Sequence, residues 1–214
     1  MNQALLLSPD TDSLLRHSSA PVAGTSGDQH LVYYGITWSQ FKLIQAGFAD
    51  APGVRLSYFN QTIEILMPGR THELFKSVIG MLLELFCLEL LLEFDPMGSM
   101  TQERAGEVSV EADESYSFGG RSKPLPDLAI EVILTSGSDK LPRYRVLGIA
   151  EVWFWQDGLF HLYRLRGNQY EKIDSSEIPE LAGLNIDLMT RCVLLAETSR
   201  LNAASEFRKG ISKL

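Results

Sequence analysis

Two carboxylates in apolar or β-like surroundings are the residues of this chain best suited to chemistry. Glu131 lies inside residues 127–134, a run that is mostly apolar on both faces and predicts a central strand. A carboxylate there is costly to bury unless it is paired, hydrogen-bonded or bound to a cation. Asp113 lies in the preceding β-like run, residues 108–118, and a polar turn connects the two runs. We therefore expect the two carboxylates on adjacent strands.

Two hard oxygen ligands on neighbouring strands suit Mg²⁺ or Mn²⁺, because such ions keep several waters and share a phosphate oxygen with the substrate. This arrangement favours phosphodiester hydrolysis, in which the ion polarises the phosphate and lowers the pKa of a water. Lys140 follows where the strand gives way to a helix, and its ammonium can point back at the acids. The alternatives are an exposed turn aspartate at Asp113, and at Glu131 a structural ion pair with Lys140 or Arg143.

Other polar residues are candidates for supporting roles. Asp127 shares a strand face with Glu131, which would allow it to support the ligands. We prefer the simpler interpretation that Asp127 accepts backbone hydrogen bonds at the start of the strand. Glu73 and His72 lie in the first turn of the expected long helix. Each has a plain alternative, since an acid there suits the helix dipole and a histidine can cap or pack.

Positive charge that could meet a phosphate is limited. Arg143 and Arg145 follow Lys140 on an expected short helix and are candidates for phosphate contacts, although solvated helix charges are the usual explanation. The formal net charge of −8 counts against a large nucleic-acid footprint, because phosphate binding is driven by local Lys and Arg. An acidic metal site supplies part of that negative charge, so DNA binding is disfavoured but not excluded.

The strands that must position these residues include two hairpins. Residues 54–67 predict one around an Asn-Gln turn, and residues 151–163 predict another around an Asp-Gly turn. Residues 169–173 are expected to extend the second hairpin. Together with the runs that carry the two acids, these hairpins predict an α/β (α+β) fold.

The helices are expected around these strands. Thr37 is a candidate N-cap for a short helix, and Thr71 for a long one whose apolar residues cover more than one face. Such a helix should lie between a sheet and a further element. Residues 198–213 predict a final helix, and residues 1–36 predict a flexible N-terminal arm. Residues 37–214 then form a single domain.

Several segments resemble a large bacterial family of putative restriction endonucleases in the PD-(D/E)XK nuclease superfamily. The matching segments are PDLAIEV at 126–132, TSGSDKLPRY at 135–144, LGIAEVW at 147–153, ADESY at 112–116, and LMP at 66–68 before His72-Glu73. The resemblance covers about residues 37–210. It implies a restriction-endonuclease-like core with a mixed β-sheet flanked by helices, Mg²⁺-dependent cleavage of DNA, and a homodimer.

The resemblance also implies residue roles. Asp113 and Glu131 become the metal ligands, Lys140 the catalytic lysine, and Glu73 a supporting acid from the long helix. The sequence departs from the superfamily pattern at Ile133, where the usual Glu-x-Lys would place its lysine. Lys140 must then act as a migrated equivalent.

A second departure is Ala112, which replaces the proline common before the first aspartate. The lysine departure and the acidic net charge motivate an alternative function, a non-cleaving nuclease fold that binds DNA or a protein partner. A two-carboxylate glycosidase is disfavoured, because the short hairpins offer no aromatic cleft for a sugar.

The sequence also predicts a cytoplasmic protein that does not enter a membrane. The first residues lack a basic region and a long apolar run, so a signal peptide is not expected. The most apolar window, residues 77–94, carries three glutamates and predicts a buried core helix. Cys87 and Cys192 lie in ordinary apolar contexts and predict buried, reduced thiols.

Overall fold

A computed structural model of the chain describes residues 27–120, 123–134 and 140–211. These residues form eleven strands and five α-helices. The strands are β1 Gln29–Tyr34, β2 Arg55–Phe59, β3 Thr62–Met67, β4 Phe94–Pro96, β5 Thr101–Arg104, β6 Val108–Glu111, β7 Glu114–Phe118, β8 Leu128–Ile133, β9 Glu151–Gln156, β10 Leu159–Arg166 and β11 Gln169–Ile173. The helices are α1 Trp38–Gly47, α2 Arg70–Glu89, α3 Leu141–Leu147, α4 Ile186–Leu195 and α5 Arg200–Ile211.

The larger sheet is mixed, with strand order β11-β10-β9-β8-β7-β4. Its central strands β8 and β9 are parallel, with Glu131 opposite Phe154, and α3 lies in the connection between them. The other pairs in this sheet are antiparallel, including β7 with β8, where Glu114 lies opposite Ile130. This arrangement confirms the prediction of a mixed sheet flanked by helices.

The second sheet is antiparallel, with strand order β1-β3-β2-β6-β5. Its β2–β3 hairpin turns at Asn60 and Gln61, which both adopt positive φ (46° and 58°) as the tight turn requires. The chain passes from this sheet to the larger one between β6 and β7. Asp113 lies in that two-residue crossing, so it stands where the two sheets meet.

Helix α2 is the centre of the main hydrophobic core. Its apolar side chains pack with the larger sheet and with α4 and α5, and Leu82 and Leu83 are fully buried. This confirms the expectation of a helix between a sheet and a further element. Among the described residues, no helix is long and apolar enough to cross a membrane. Cys87 on this helix is free and buried, and burial raises the pKa of its thiol to about 12.

The structure departs from the sequence predictions in the N-terminal arm and at the start of α2. The sequence predicts a flexible arm for residues 1–36, but Gln29–Tyr34 form β1 and pair with β3. Residues 1–26 of that arm lie outside the described residues. Thr71 does not cap α2, because the helix begins at Arg70, with Gly69 at the N-cap two residues before Thr71. Thr37 does cap α1, and Gln40 completes a capping box.

The central position of α2 makes its core leucines important for stability. We expect Leu82→Ala to lower the free energy of unfolding by about 2–5 kcal/mol, because it leaves a cavity in a closed core. Leu201→Ala on α5, where the side chain is exposed, is the matched control and should change it by less than about 0.5 kcal/mol. Urea denaturation measures both, and equal losses would contradict this description of the core.

Candidate active site

A pocket lies between the two sheets, beside the crossing at Asp113. Arg55 and Val132, which both bond to the Asp113 carboxylate, line it together with Glu131 and Lys140. Both acids are buried, with 1% of Asp113 and 2% of Glu131 exposed. The antiparallel register of β7 and β8 pairs Glu114 with Ile130, and each acid is the next residue beyond this pair. The pocket therefore brings Glu131 and Lys140 together with the partners of Asp113.

The Asp113 carboxylate is held from three elements. The Val132 backbone N–H donates to its Oδ2 over 2.6 Å, and His72 Nε2 lies 2.9 Å from its Oδ1. The Arg55 guanidinium forms an ion pair with the same Oδ1. Ser99 Oγ donates to the backbone carbonyl of Asp113 over 3.2 Å and fixes the crossing as well. Strand β2, helix α2 and strand β8 thus all depend on this one acid.

His72 connects Asp113 to a residue that precedes β1. Its Nδ1 lies 2.9 Å from Oδ2 of Asp28, while Oδ1 of Asp28 accepts from the Gly69 N–H at the start of α2. Burial lowers the pKa of the His72 imidazole, and the neighbouring Asp28 opposes that shift. Since a carboxylate lies at each ring nitrogen, both contacts are hydrogen bonds only when both nitrogens carry a proton. The ring is fully buried and its position is fixed by two acids.

The Glu131 carboxylate is held from α3. Lys140 Nζ lies 2.7 Å from its Oε2, and the Tyr144 hydroxyl donates to its Oε1. Burial and the neighbouring Glu131 raise the pKa of Tyr144 well above its usual value, so the phenol keeps its proton and remains a donor. Lys140 is at the N-cap of α3, and one turn of helix places Tyr144 on the same side.

Glu73 reaches this group through Arg55. Arg55 Nη2 donates to Glu73 Oε1 over 2.9 Å, while its other terminal nitrogen pairs with Asp113. Lys76 lies 3.9 Å from the same glutamate, whose side chain is 49% exposed. The guanidinium therefore bridges a buried acid and a half-exposed one.

Asp127 is not brought to this pocket. Its Oδ2 accepts from the Phe118 N–H over 2.9 Å and from Lys123 Nζ over 2.5 Å. It lines a separate pocket together with Arg164. These contacts match the preferred interpretation of a residue that accepts backbone hydrogen bonds at the start of the strand, rather than a support for the ligands.

The two candidate arginines differ in their surroundings. Arg143 is buried, not solvated, and its two terminal nitrogens form a forked ion pair with Glu64 of β3. It also donates to Ser57 of β2 over 2.8 Å. This pair connects α3 to the antiparallel sheet. It explains the burial of Arg143 without a phosphate contact. Arg145 is exposed on the same helix.

Sequence reasoning overlooked four residues at this site: Asp28, Arg55, Glu64 and Tyr144. A signal exists for Glu64, because it lies between two isoleucines in a strand as Glu131 does. Tyr144 shares a helix face with Lys140, so its position relative to Glu131 could also have been inferred. Arg55 and Asp28 carry no such signal, since their partners are distant in sequence.

The donor set fits a hard divalent cation. Among the described residues, no group of three or more His, Cys, Asp or Glu has the geometry of a metal site. Mg²⁺ does not require one, because it is commonly held by one or two carboxylates and keeps its remaining positions for water and phosphate oxygens. Asp113 and Glu131 supply such a pair: Asp113 Oδ2 and the two Glu131 oxygens each have one protein donor and keep a second lone pair.

The model of the Uma2 family, described as putative restriction endonuclease, matches residues 38–188, which is more than half of the chain. The chain belongs to the Uma2 family. The matched range contains Arg55, Asp113, Glu131 and Lys140. Membership confirms the resemblance and indicates a nuclease. A comparison with curated proteins gave no match.

The pair between Arg143 and Glu64 should stabilise the fold. We expect Arg143→Met to lower the free energy of unfolding by about 3–5 kcal/mol, because it removes the guanidinium that forms the forked ion pair with the buried Glu64 carboxylate. The double variant Arg143→Met/Glu64→Leu should lose less, since no charge remains buried there. Urea denaturation of both variants measures the difference. A single variant as stable as the wild type would contradict the structural role of Arg143.

Proposed function

We propose that this protein is a divalent-metal-dependent endonuclease that hydrolyses phosphodiester bonds of DNA, with Mg²⁺ or Mn²⁺ as its cofactor. The proposal rests on one observation, a pocket at which two acids and an ammonium lie. Glu131 and Lys140 line this pocket, and the partners of Asp113 line it beside them. Membership of the Uma2 family supports the nuclease activity.

Asp113 and Glu131 are the proposed ligands, and their protein partners fix both carboxylate planes. His72 and the Val132 N–H hold Asp113, and Tyr144 holds Glu131. Ligands whose orientation is already fixed lose little freedom when an ion binds. A bound Mg²⁺ would supply charge neutralisation at the phosphate and a lower pKa for an attacking water.

Lys140 is the proposed catalytic cation. Its Nζ lies 2.7 Å from Glu131 Oε2 and its side chain lines the pocket. An ammonium there stabilises the negative charge that develops on the phosphate. Ile133 occupies the strand position where the superfamily usually carries its lysine, and it lines the same pocket. Lys140, at the N-cap of α3, would thus reach the same pocket that a lysine at position 133 would line.

DNA as the substrate and a homodimer as the active form are proposed from the resemblance. Arg145, exposed on α3, is the proposed phosphate contact outside the pocket. The proposed compartment is the cytoplasm. In keeping with it, Cys87 and Cys192 are free and buried.

A second candidate function is a nuclease fold that binds DNA or a protein without cleaving. One observation favours it: Asp113 and Glu131 are already paired with cations of the chain itself. Such pairs are compatible with a purely structural role. The net charge of −8 also disfavours extensive phosphate contacts.

Substitution of each of the three residues of the proposed site should cause the same loss of cleavage. Asp113→Asn, Glu131→Gln and Lys140→Met should each reduce cleavage of plasmid DNA in Mg²⁺ or Mn²⁺ by at least about a hundredfold, because the first two weaken a metal ligand and the third removes the ammonium that stabilises the phosphate charge. Lys209→Met, on the exposed face of α5, is the matched control and should cleave like the wild type. Gel electrophoresis measures cleavage, and circular dichroism shows that the variants are folded.

Two results would decide against the endonuclease. Cleavage that persists in all three folded variants, or in excess EDTA, would show that the activity lies elsewhere. A wild-type protein that binds a DNA duplex but never cleaves it in Mg²⁺ or Mn²⁺ would favour the second candidate.

A further inference from the structure

The Arg55 guanidinium occupies the pocket side of Asp113. Arg55 lines the pocket and is 12% exposed, whereas His72, the other side chain on Asp113 Oδ1, is fully buried. An ion that enters from the pocket therefore approaches Asp113 at the position that Arg55 holds.

Four acids at or beside the pocket have a cationic or ring-nitrogen partner, while Glu111, which also lines it, accepts from the Thr101 hydroxyl. Asp113 pairs with Arg55, Glu131 with Lys140, Glu64 with Arg143, and Asp28 with His72. Both proposed metal ligands, Asp113 and Glu131, are thus already paired with a cation before any ion arrives. A dication bound by Asp113 and Glu131 would lie next to both the guanidinium and the ammonium. Like charges at such short range repel strongly in a poorly solvated site.

Glu73 gives Arg55 an alternative position. Its carboxylate accepts from the second terminal nitrogen of Arg55, and its side chain is 49% exposed on α2. The guanidinium can leave Asp113 and remain paired with Glu73, at a partly solvated place beside the pocket. The Arg55–Glu73 pair has a smaller desolvation cost than a fully buried ion pair, because water still reaches the glutamate.

We propose that Arg55 is the resident counterion of Asp113 and gives way when a divalent cation binds, remaining paired with Glu73 and then facing the scissile phosphate. This inference rests on the proposed function, because it uses the same two metal ligands. It makes Arg55 a positioning residue of the metal-free protein and a phosphate contact of the loaded one. Metal binding and phosphate binding are then coupled, since the ion frees the cation that receives the phosphate.

Substitutions at Arg55 and at Glu73 should change the affinity for Mn²⁺ in opposite directions. Arg55→Gln should bind Mn²⁺ about tenfold tighter than the wild type, because no cation competes for Asp113. Glu73→Gln should bind Mn²⁺ about threefold more weakly, because the released guanidinium loses its second partner. Arg208→Gln, which removes an exposed arginine that pairs with Glu89, is the matched control and should bind like the wild type. Titration calorimetry with Mn²⁺ alone measures all four proteins.

A phosphate readout complements the metal titration. With Ca²⁺ in place of Mg²⁺, we expect Arg55→Gln to bind a short fluorescent DNA duplex about tenfold more weakly than the wild type, since one phosphate contact is lost. Fluorescence anisotropy measures this affinity. Tighter metal binding together with weaker DNA binding in one variant is a combination that a merely structural arginine would not produce.

The outcomes separate this inference from the function on which it rests. A wild type that binds Mn²⁺ while Arg55→Gln binds equally or more weakly overturns the role of Arg55 and leaves the metal site intact. No binding by either protein at millimolar Mn²⁺ overturns the proposed function, and the inference with it. If Arg55→Gln does not fold without metal, Arg55→Lys replaces it; its ammonium reaches one acid at a time, so we expect about threefold tighter binding. Unchanged or weaker binding by Arg55→Lys overturns the inference.

Discussion

The burial of two carboxylates at the meeting of two sheets is the constraint on which the rest of this structure depends. A buried carboxylate without partners is too costly for a fold of ordinary stability, so each acid must be met by donors. Asp113 obtains them from β2, α2 and β8, and Glu131 obtains them from α3. The two acids therefore determine how four elements approach one another. The pair between Arg143 and Glu64 extends the same principle to β3.

The same contacts serve stability in the metal-free protein and preparation for catalysis in the proposed one. A carboxylate held by a backbone N–H and a buried imidazole already has the orientation that a metal ligand needs. The cations that neutralise it belong to the chain, so the site can be stable without an ion. The endonuclease and the non-cleaving alternative share this arrangement. They differ in whether the Arg55 guanidinium and the Lys140 ammonium give up their pairs with the two acids when an ion and a phosphate bind.

Much of the fold was predictable because its signals are local. The hairpin turns, the capping box at Thr37, the helix α2 and the buried strand β8 each follow from neighbouring residues. Strand β1 was not predictable, because its pairing with β3 depends on residues far along the chain. The same reason hid Arg55, whose partners come from a distant helix and a distant crossing. Asp127 illustrates a different limit: sharing a strand face with Glu131 still leaves about 13 Å between them.

The most direct measurement of the central claim is a crystal structure of the full chain grown with Mn²⁺, using anomalous scattering to locate the ion. We predict one strong peak within coordination distance of both Asp113 and Glu131, with Lys140 beside it and the Arg55 guanidinium moved off Asp113 toward Glu73. A crystal at millimolar Mn²⁺ without a peak there, in which Arg55 and Lys140 remain paired with the two acids, would contradict it.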